Sequence, residues 1–105
     1  MSEQVRTAVL EAPSLAALRA HRVEILRIAA SHGAFNVRVY GSVARGDAGP
    51  DSDVDLLVDF EDGRSLLDEV QLQQELTSLL GWPVELADQV HRAIRPRVAA
   101  ETVSL

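Results

Sequence analysis

Apolar residues recur along the chain at two different spacings, one typical of helices and one typical of strands. Between Ser14 and Gly33 they return every three or four positions, which predicts one helix capped by Ser14 and ended by Gly33. The apolar side of that helix is formed by Leu15, Leu18, Ile25, Leu26 and Ala29. Residues 1–13, which end at Pro13, are expected to form an extended arm or a short helix.

Alternation of apolar and polar residues predicts two strands after this helix. The first covers residues 36–40, with Val37 and Val39 on one face. The second covers residues 53–60 and is the clearer of the two. One of its faces carries Val54, Leu56, Val58 and Phe60. Its other face carries Asp53, Asp55, Leu57 and Asp59.

Helical spacing returns over residues 65–80, a stretch that Ser65 can cap and Gly81 ends. Its predicted buried side consists of Leu66, Val70, Leu72, Leu76, Leu79 and Leu80. Pro83 then opens a third strand over residues 84–87, in which Glu85 faces away from the apolar side.

Pro96 is compatible only with the first turn of a helix or a kink, so a short terminal helix is expected from about that residue. The order of elements predicts a single α/β (α+β) domain over residues 1–105. In that domain helices pack on a small three-stranded mixed sheet.

Composition limits the classes of function that such a domain can have. The net charge of −6 argues against direct binding of nucleic acid, which calls for a basic face. The absence of cysteine excludes disulfides and thiolate zinc sites. Neither a signal peptide nor a membrane span is recognisable, and the expected location is the cytoplasm.

The clearest candidate functional residues lie between Gly41 and Asp55. Asp53 and Asp55 stand two positions apart on a strand, so their carboxylates project to one side with Cα atoms roughly 6.5 to 7 Å apart. Carboxylates at that spacing suit a pair of Mg²⁺ ions about 3.5 to 4 Å apart, the arrangement used in phosphoryl and nucleotidyl transfer.

The same stretch offers donors for a triphosphate. Gly41 has no side chain, so backbone N–H groups and the Ser42 hydroxyl can approach phosphate oxygens. Arg45 is the one arginine or lysine between residues 41 and 55, and it could bind a phosphate or pair with Asp47. These features favour a site for a nucleoside triphosphate and magnesium.

Gly41-Ser42, then ten residues, then Asp53-x-Asp55, with Ala44-Arg45-Gly46 between them, resembles the DNA polymerase β-type nucleotidyltransferase superfamily. More narrowly, residues 18–105 resemble the minimal nucleotidyltransferases that accompany HEPN proteins in prokaryotes. The resemblance implies the nucleotidyltransferase fold, with magnesium at the two aspartates and the triphosphate at Gly41 and Ser42. It also implies a third carboxylate on the last strand, commonly Asp, and the aligned residue here is Glu85.

For this family the resemblance implies transfer of AMP from ATP to a tyrosine of a HEPN ribonuclease toxin, which makes this chain the antitoxin. The alternative is a degenerate fold that neutralises its partner by binding alone. A third hypothesis, transfer to a small molecule such as an antibiotic, is weaker than these two, because no second domain is expected to line an acceptor pocket. The added methylene of Glu85 bears on this choice, because displacing a catalytic group by about 1 Å can cost on the order of 100-fold in rate.

Several other residues have simpler explanations. Asp47 and Asp51 are most simply turn residues, and Glu85 could be a solvent-facing strand residue. Surface positions are expected for His21, His32 and His91. The remaining predictions place Asp59 beyond the site, Trp82 at the edge of the core, and Arg95 and Arg97 at a solvated helix start.

Overall fold

The computed structural model describes residues 11–88 and 101–105. Its helices are α1 (Leu15–Ala20), α2 (Arg22–Ser31), α3 (Gly41–Arg45) and α4 (Leu66–Leu80). Its strands are β1 (Ala34–Tyr40), β2 (Val54–Phe60), β3 (Val84–Ala87) and β4 (Val103–Ser104). Outside the described residues lie positions 1–10 of the predicted arm and the predicted terminal helix, with His91, Arg95 and Arg97.

The strands form one mixed sheet in the order β3-β2-β1-β4. The β2 strand runs antiparallel to β1 and parallel to β3. The α/β class and the mixed sheet are therefore confirmed, but the count of three strands was wrong. The fourth strand has only two residues, paired with Arg38 and Val39 of β1, and so short a segment shows no alternation in the sequence.

The single helix predicted between Ser14 and Gly33 was also wrong, because the chain forms two helices that meet at His21. The φ and ψ angles of His21, −105° and 16°, are not helical. The break leaves Leu18 and Ile25 both fully buried, so the apolar spacing continued across it. The predicted cap is confirmed, since the backbone N–H of Ala17 donates to the Ser14 hydroxyl at 3.1 Å.

Helix α4 has the predicted length, but its buried side is rotated from the predicted one. Leu66 and Val70 are 54% and 45% exposed, whereas Glu69 is buried. The core side of the helix follows Glu69, Leu72, Leu76 and Leu80. At the start of the helix the Asp68 carboxylate accepts a hydrogen bond from the backbone N–H of Ser65. This bond is the main reason that the pKa of Asp68 lies below its ordinary value.

The core lies between the helices and one face of the sheet, where Val39, Val54 and Leu56 are fully buried. Leu57 and Ala87, neighbours on β2 and β3, are buried as well, outside that main cluster. The prediction for Trp82 is confirmed: it is buried with the core and donates its ring N–H to the carbonyl of Glu11 at 2.7 Å. In residues 11–88 and 101–105, no helix has the length and apolar character that crossing a membrane requires.

Candidate active site beside Asp55

The pairing of the strands gives Asp55 a neighbour on each side. On β1 its partner is Tyr40, the residue that directly precedes Gly41, and on β3 its partner is Glu85. Residues far apart in the sequence therefore meet at the beginning of β2. Three of the predicted site residues, Gly41, Asp55 and Glu85, are brought together by this register.

Gly41 lies directly against the carboxylate of Asp55. A Cβ atom at position 41 would clash with Oδ2 of Asp55 and would stand 3.2 Å from its Cγ. The backbone of Gly41 also has φ +73°, a conformation in which side chains are strained. The missing side chain thus lets the junction of β1 and α3 approach the acidic end of β2.

We expect Gly41→Ala to destabilise the domain by more than Gly46→Ala. Both glycines have positive φ, which should cost about 1 to 2 kcal/mol in either variant. Nothing lies within 4 Å of a Cβ at position 46, so only Gly41→Ala adds a clash with Asp55. Urea unfolding of the two variants measures the difference. Equal midpoints would show that Asp55 does not pack against Gly41 in solution.

Asp55 lies in a partly buried and acidic environment that disfavours its charged form. Partial burial, followed by the nearby carboxylates of Glu85 and Asp53, raises the pKa of Asp55 to about 6, and Arg45 opposes the shift. Asp53 is exposed, whereas Asp55 is half-buried. A divalent cation between these acidic groups would offset their mutual repulsion.

The donor set fits magnesium in one particular mode. Among residues 11–88 and 101–105, no group of three or more histidine, aspartate or glutamate side chains is arranged to hold a metal ion. Mg²⁺ rarely uses an all-protein cage and is usually held by one or two carboxylates together with substrate phosphates. Asp53 and Asp55 match that mode, with Glu85 as the adjacent carboxylate.

Without metal, we expect Asp55→Asn to stabilise the folded domain at pH 7. Because folding raises the pKa of Asp55 above its unfolded value, the folded state loses stability as the pH rises from about 4 to 6. The gain at pH 7 should be about 1 kcal/mol after allowance for solvent screening, and it should vanish below pH 4. Thermal unfolding in EDTA across this range measures it. A variant no more stable than the wild type at pH 7 contradicts the prediction.

Ser42 and Arg45 lie in the short helix α3, which follows Gly41. Ser42 is half-buried, and its carbonyl accepts the backbone N–H groups of Gly46 and Asp47 at 2.9 and 3.0 Å. Arg45 is exposed and donates from Nε to the Asp47 carboxylate at 3.3 Å. The positive charge of Arg45 also opposes the rise in the pKa of Asp55. Arg45 therefore acts on the candidate site even though it is paired with Asp47.

Three further residues, Asp59, His32 and Tyr40, were not predicted to belong to the site. The Asp59 carboxylate accepts bonds from Arg38 and Asn36, both at 2.9 Å, and thus forms a structural pair. His32 is half-buried, with Nε2 at 2.9 Å from the Glu75 carboxylate. Tyr40 was not singled out by any sequence pattern, although the sheet sets it beside Asp55. The alternation of residues 36–40 was visible in the sequence, but the residue that pairs with Tyr40 on the neighbouring strand was not.

Comparisons with known proteins extend these observations. Residues 23–103 match the family model described as nucleotidyltransferase domain. The chain is 36% identical over 84 residues to a candidate protein adenylyltransferase of Methanocaldococcus jannaschii, a match covering 78% of this chain and 90% of that protein. It is 45% identical over 69 residues to the protein adenylyltransferase MntA of Thermococcus cleftensis, covering 66% of this chain and 67% of the relative.

Two solved structures are similar in fold. One, described as a candidate minimal nucleotidyltransferase, has a TM-score of 0.76 and 46% sequence identity, covering 89% of this chain and 97% of that one. The other belongs to a toxin-antitoxin crystal structure with AMP-PNP, with a TM-score of 0.59 and 23% identity. That match covers 68% of this chain and 59% of the other, and it shows a shared fold alone.

Proposed function

This chain belongs to the nucleotidyltransferase domain family and is a nucleotidyltransferase, and from that premise we propose which group it transfers and to what. The group is AMP, taken from ATP with the help of Mg²⁺. The acceptor is a tyrosine hydroxyl of a partner HEPN ribonuclease, which the modification silences. In this proposal the chain is the cytoplasmic antitoxin of a toxin-antitoxin pair.

The observation that carries the proposal is the contact between the Gly41 backbone and the Asp55 carboxylate. A triphosphate bound to the turn that begins at Gly41 would lie next to the carboxylates that favour metal ions. The relatives named as protein adenylyltransferases support AMP as the transferred group and a protein as the acceptor. The net charge of −6 supports docking on a basic partner.

Each site residue has a role in this reaction. Backbone N–H groups at Gly41 and Ser42, with the Ser42 hydroxyl and Arg45, bind the triphosphate. Asp53 and Asp55 would hold two magnesium ions, and Glu85 would complete their ligand set. Bound magnesium supplies neutralisation of the phosphate charges and of the pyrophosphate that leaves.

Glu85 is also the group that takes the proton of the acceptor hydroxyl. The oxygen of that hydroxyl forms a bond to the α-phosphorus of ATP, and the bond from this phosphorus to the bridging oxygen of the β-phosphate breaks. The products are the AMP-tyrosine ester and pyrophosphate. A carboxylate within reach of the hydroxyl is a suitable base for this proton.

Incubation with labelled ATP tests the proposed function. The purified chain, the product of the gene adjacent to its own, Mg²⁺ and ATP labelled in the α-phosphate are mixed, and the proteins are analysed by mass spectrometry. We expect AMP on a tyrosine of the partner, with no label when the label is in the γ-phosphate. Label on another residue type would contradict the tyrosine acceptor.

The alternative function is neutralisation of the partner by binding alone. It is favoured by Glu85 in place of the usual aspartate, and by the finding that no three-residue metal cluster is formed among the described residues. The same mixture separates the two functions. A tight complex in which ATP and Mg²⁺ yield no covalent adduct would favour the alternative.

A further inference from the structure

We propose that Gln73 and Thr77, on helix α4, are positioning residues that hold strand β3 so that Glu85 stays beside Asp55. The inference rests on the proposed role of Glu85 in the transfer reaction. Neither residue touches the site itself, and both act on the backbone that flanks Glu85.

Strand β3 is one edge of the sheet formed by the described residues, and α4 packs against this strand. The N–H of Val84 donates to Oγ1 of Thr77 at 3.1 Å, and the N–H of Leu86 donates to Oε1 of Gln73 at 3.3 Å. In an ordinary edge strand these outward N–H groups would face water or another strand. Here two side chains four positions apart on one helix satisfy both of them.

These two bonds enclose Glu85. Val84 and Leu86 are its immediate neighbours, and their side chains are buried in the core at 3% and 1% exposure. On the other side, β2 holds the strand through the register that pairs Asp55 with Glu85. The backbone around Glu85 is thus held by β2 on one edge and by α4 on the other.

Position matters more for Glu85 than for an ordinary strand residue. It is the register partner of Asp55 on the neighbouring parallel strand, so the two side chains project from the same face of the sheet. A glutamate has one more rotatable bond than an aspartate, so its carboxylate depends more on a fixed backbone. Loss of the α4 bonds would let β3 shift, and shifts of about 1 Å at a catalytic group have large effects on rate.

The test uses Thr77→Val and Gln73→Met, which keep the side-chain size but remove the acceptor oxygens. In the metal-free protein, we expect the Val84 and Leu86 amides to exchange with solvent at least about tenfold faster and the Glu85 carboxyl ¹³C shift to change. In the transfer reaction, we expect kcat to fall about tenfold while the affinity for ATP stays the same. Thr77→Ser and Gln73→Glu keep an acceptor oxygen, so amide exchange, the Glu85 shift and kcat should all stay close to their wild-type values.

Gln74→Met and Ser78→Ala are matched controls. Gln74 directly follows Gln73 and Ser78 directly follows Thr77 on the same helix, and both control residues are exposed. Unchanged amide exchange and an unchanged Glu85 signal in Thr77→Val and Gln73→Met would overturn the proposal. So would a loss of activity that merely follows the loss of folded protein. If the wild-type chain transfers no AMP at all, the proposed function fails, while the two NMR readouts still decide whether Gln73 and Thr77 position Glu85.

Discussion

Asp53→Ala and Asp55→Ala should each reduce AMP transfer by on the order of 1000-fold while the domain remains folded. Either change removes an oxygen ligand from the proposed magnesium site, so the charge that develops on the phosphates is no longer offset. Folding should persist because Asp53 is exposed and Asp55 carries repulsion from Glu85 and Asp53. The measurement is the initial rate of partner labelling with ATP and Mg²⁺.

Asp51→Ala is the matched control for these two variants. Asp51 is an exposed aspartate in the same loop, two positions before Asp53, and it has no proposed role in the reaction. Its rate should equal that of the wild type, which would show that losing a negative charge from the loop is harmless. Labelling that survives both Asp53→Ala and Asp55→Ala would show that the metal assignment is wrong.

For Glu85→Gln we expect transfer to fall on the order of 100-fold with ATP affinity changed by no more than about twofold. The amide keeps the size of the side chain but neither takes a proton nor carries the charge that attracts a metal. Glu85 is paired with Asp55, on the side away from Gly41, so triphosphate binding should be largely preserved. Separate measurements of kcat and of ATP affinity by titration give the two values.

Glu85→Asp gives a second and independent reading of this position. Aspartate keeps the charge and restores the residue type that is usual in the family, so its rate should stay well above that of Glu85→Gln. Transfer by Glu85→Gln at the wild-type rate would return Glu85 to the class of solvent-facing strand residues. It would also move the proton-accepting role to another group.

Local patterns sufficed for most of the elements, and their failures have physical causes. The lengths of β2, β3 and α4 followed from alternation and helical spacing, because the apolar residues of each element are close in the sequence. The rotation that exposes Leu66 and Val70 did not follow, because several sides of a leucine-rich helix are apolar. The strand β4 gave no signal, since two residues form a strand only when β1 is there to pair with them.

The candidate site divides in the same way. The sequence by itself determined the chemical groups: a glycine and a serine after the first strand, two aspartates on one face of the second strand, and one carboxylate on the third strand. Only the tertiary structure decided that Tyr40 and Glu85 flank Asp55 and that Gly41 lies against its carboxylate. It also decided that Gln73 and Thr77 bind the outer edge of β3. The reason is that register between strands is set by the packing of the whole core, whereas spacing along one strand is set by the backbone alone.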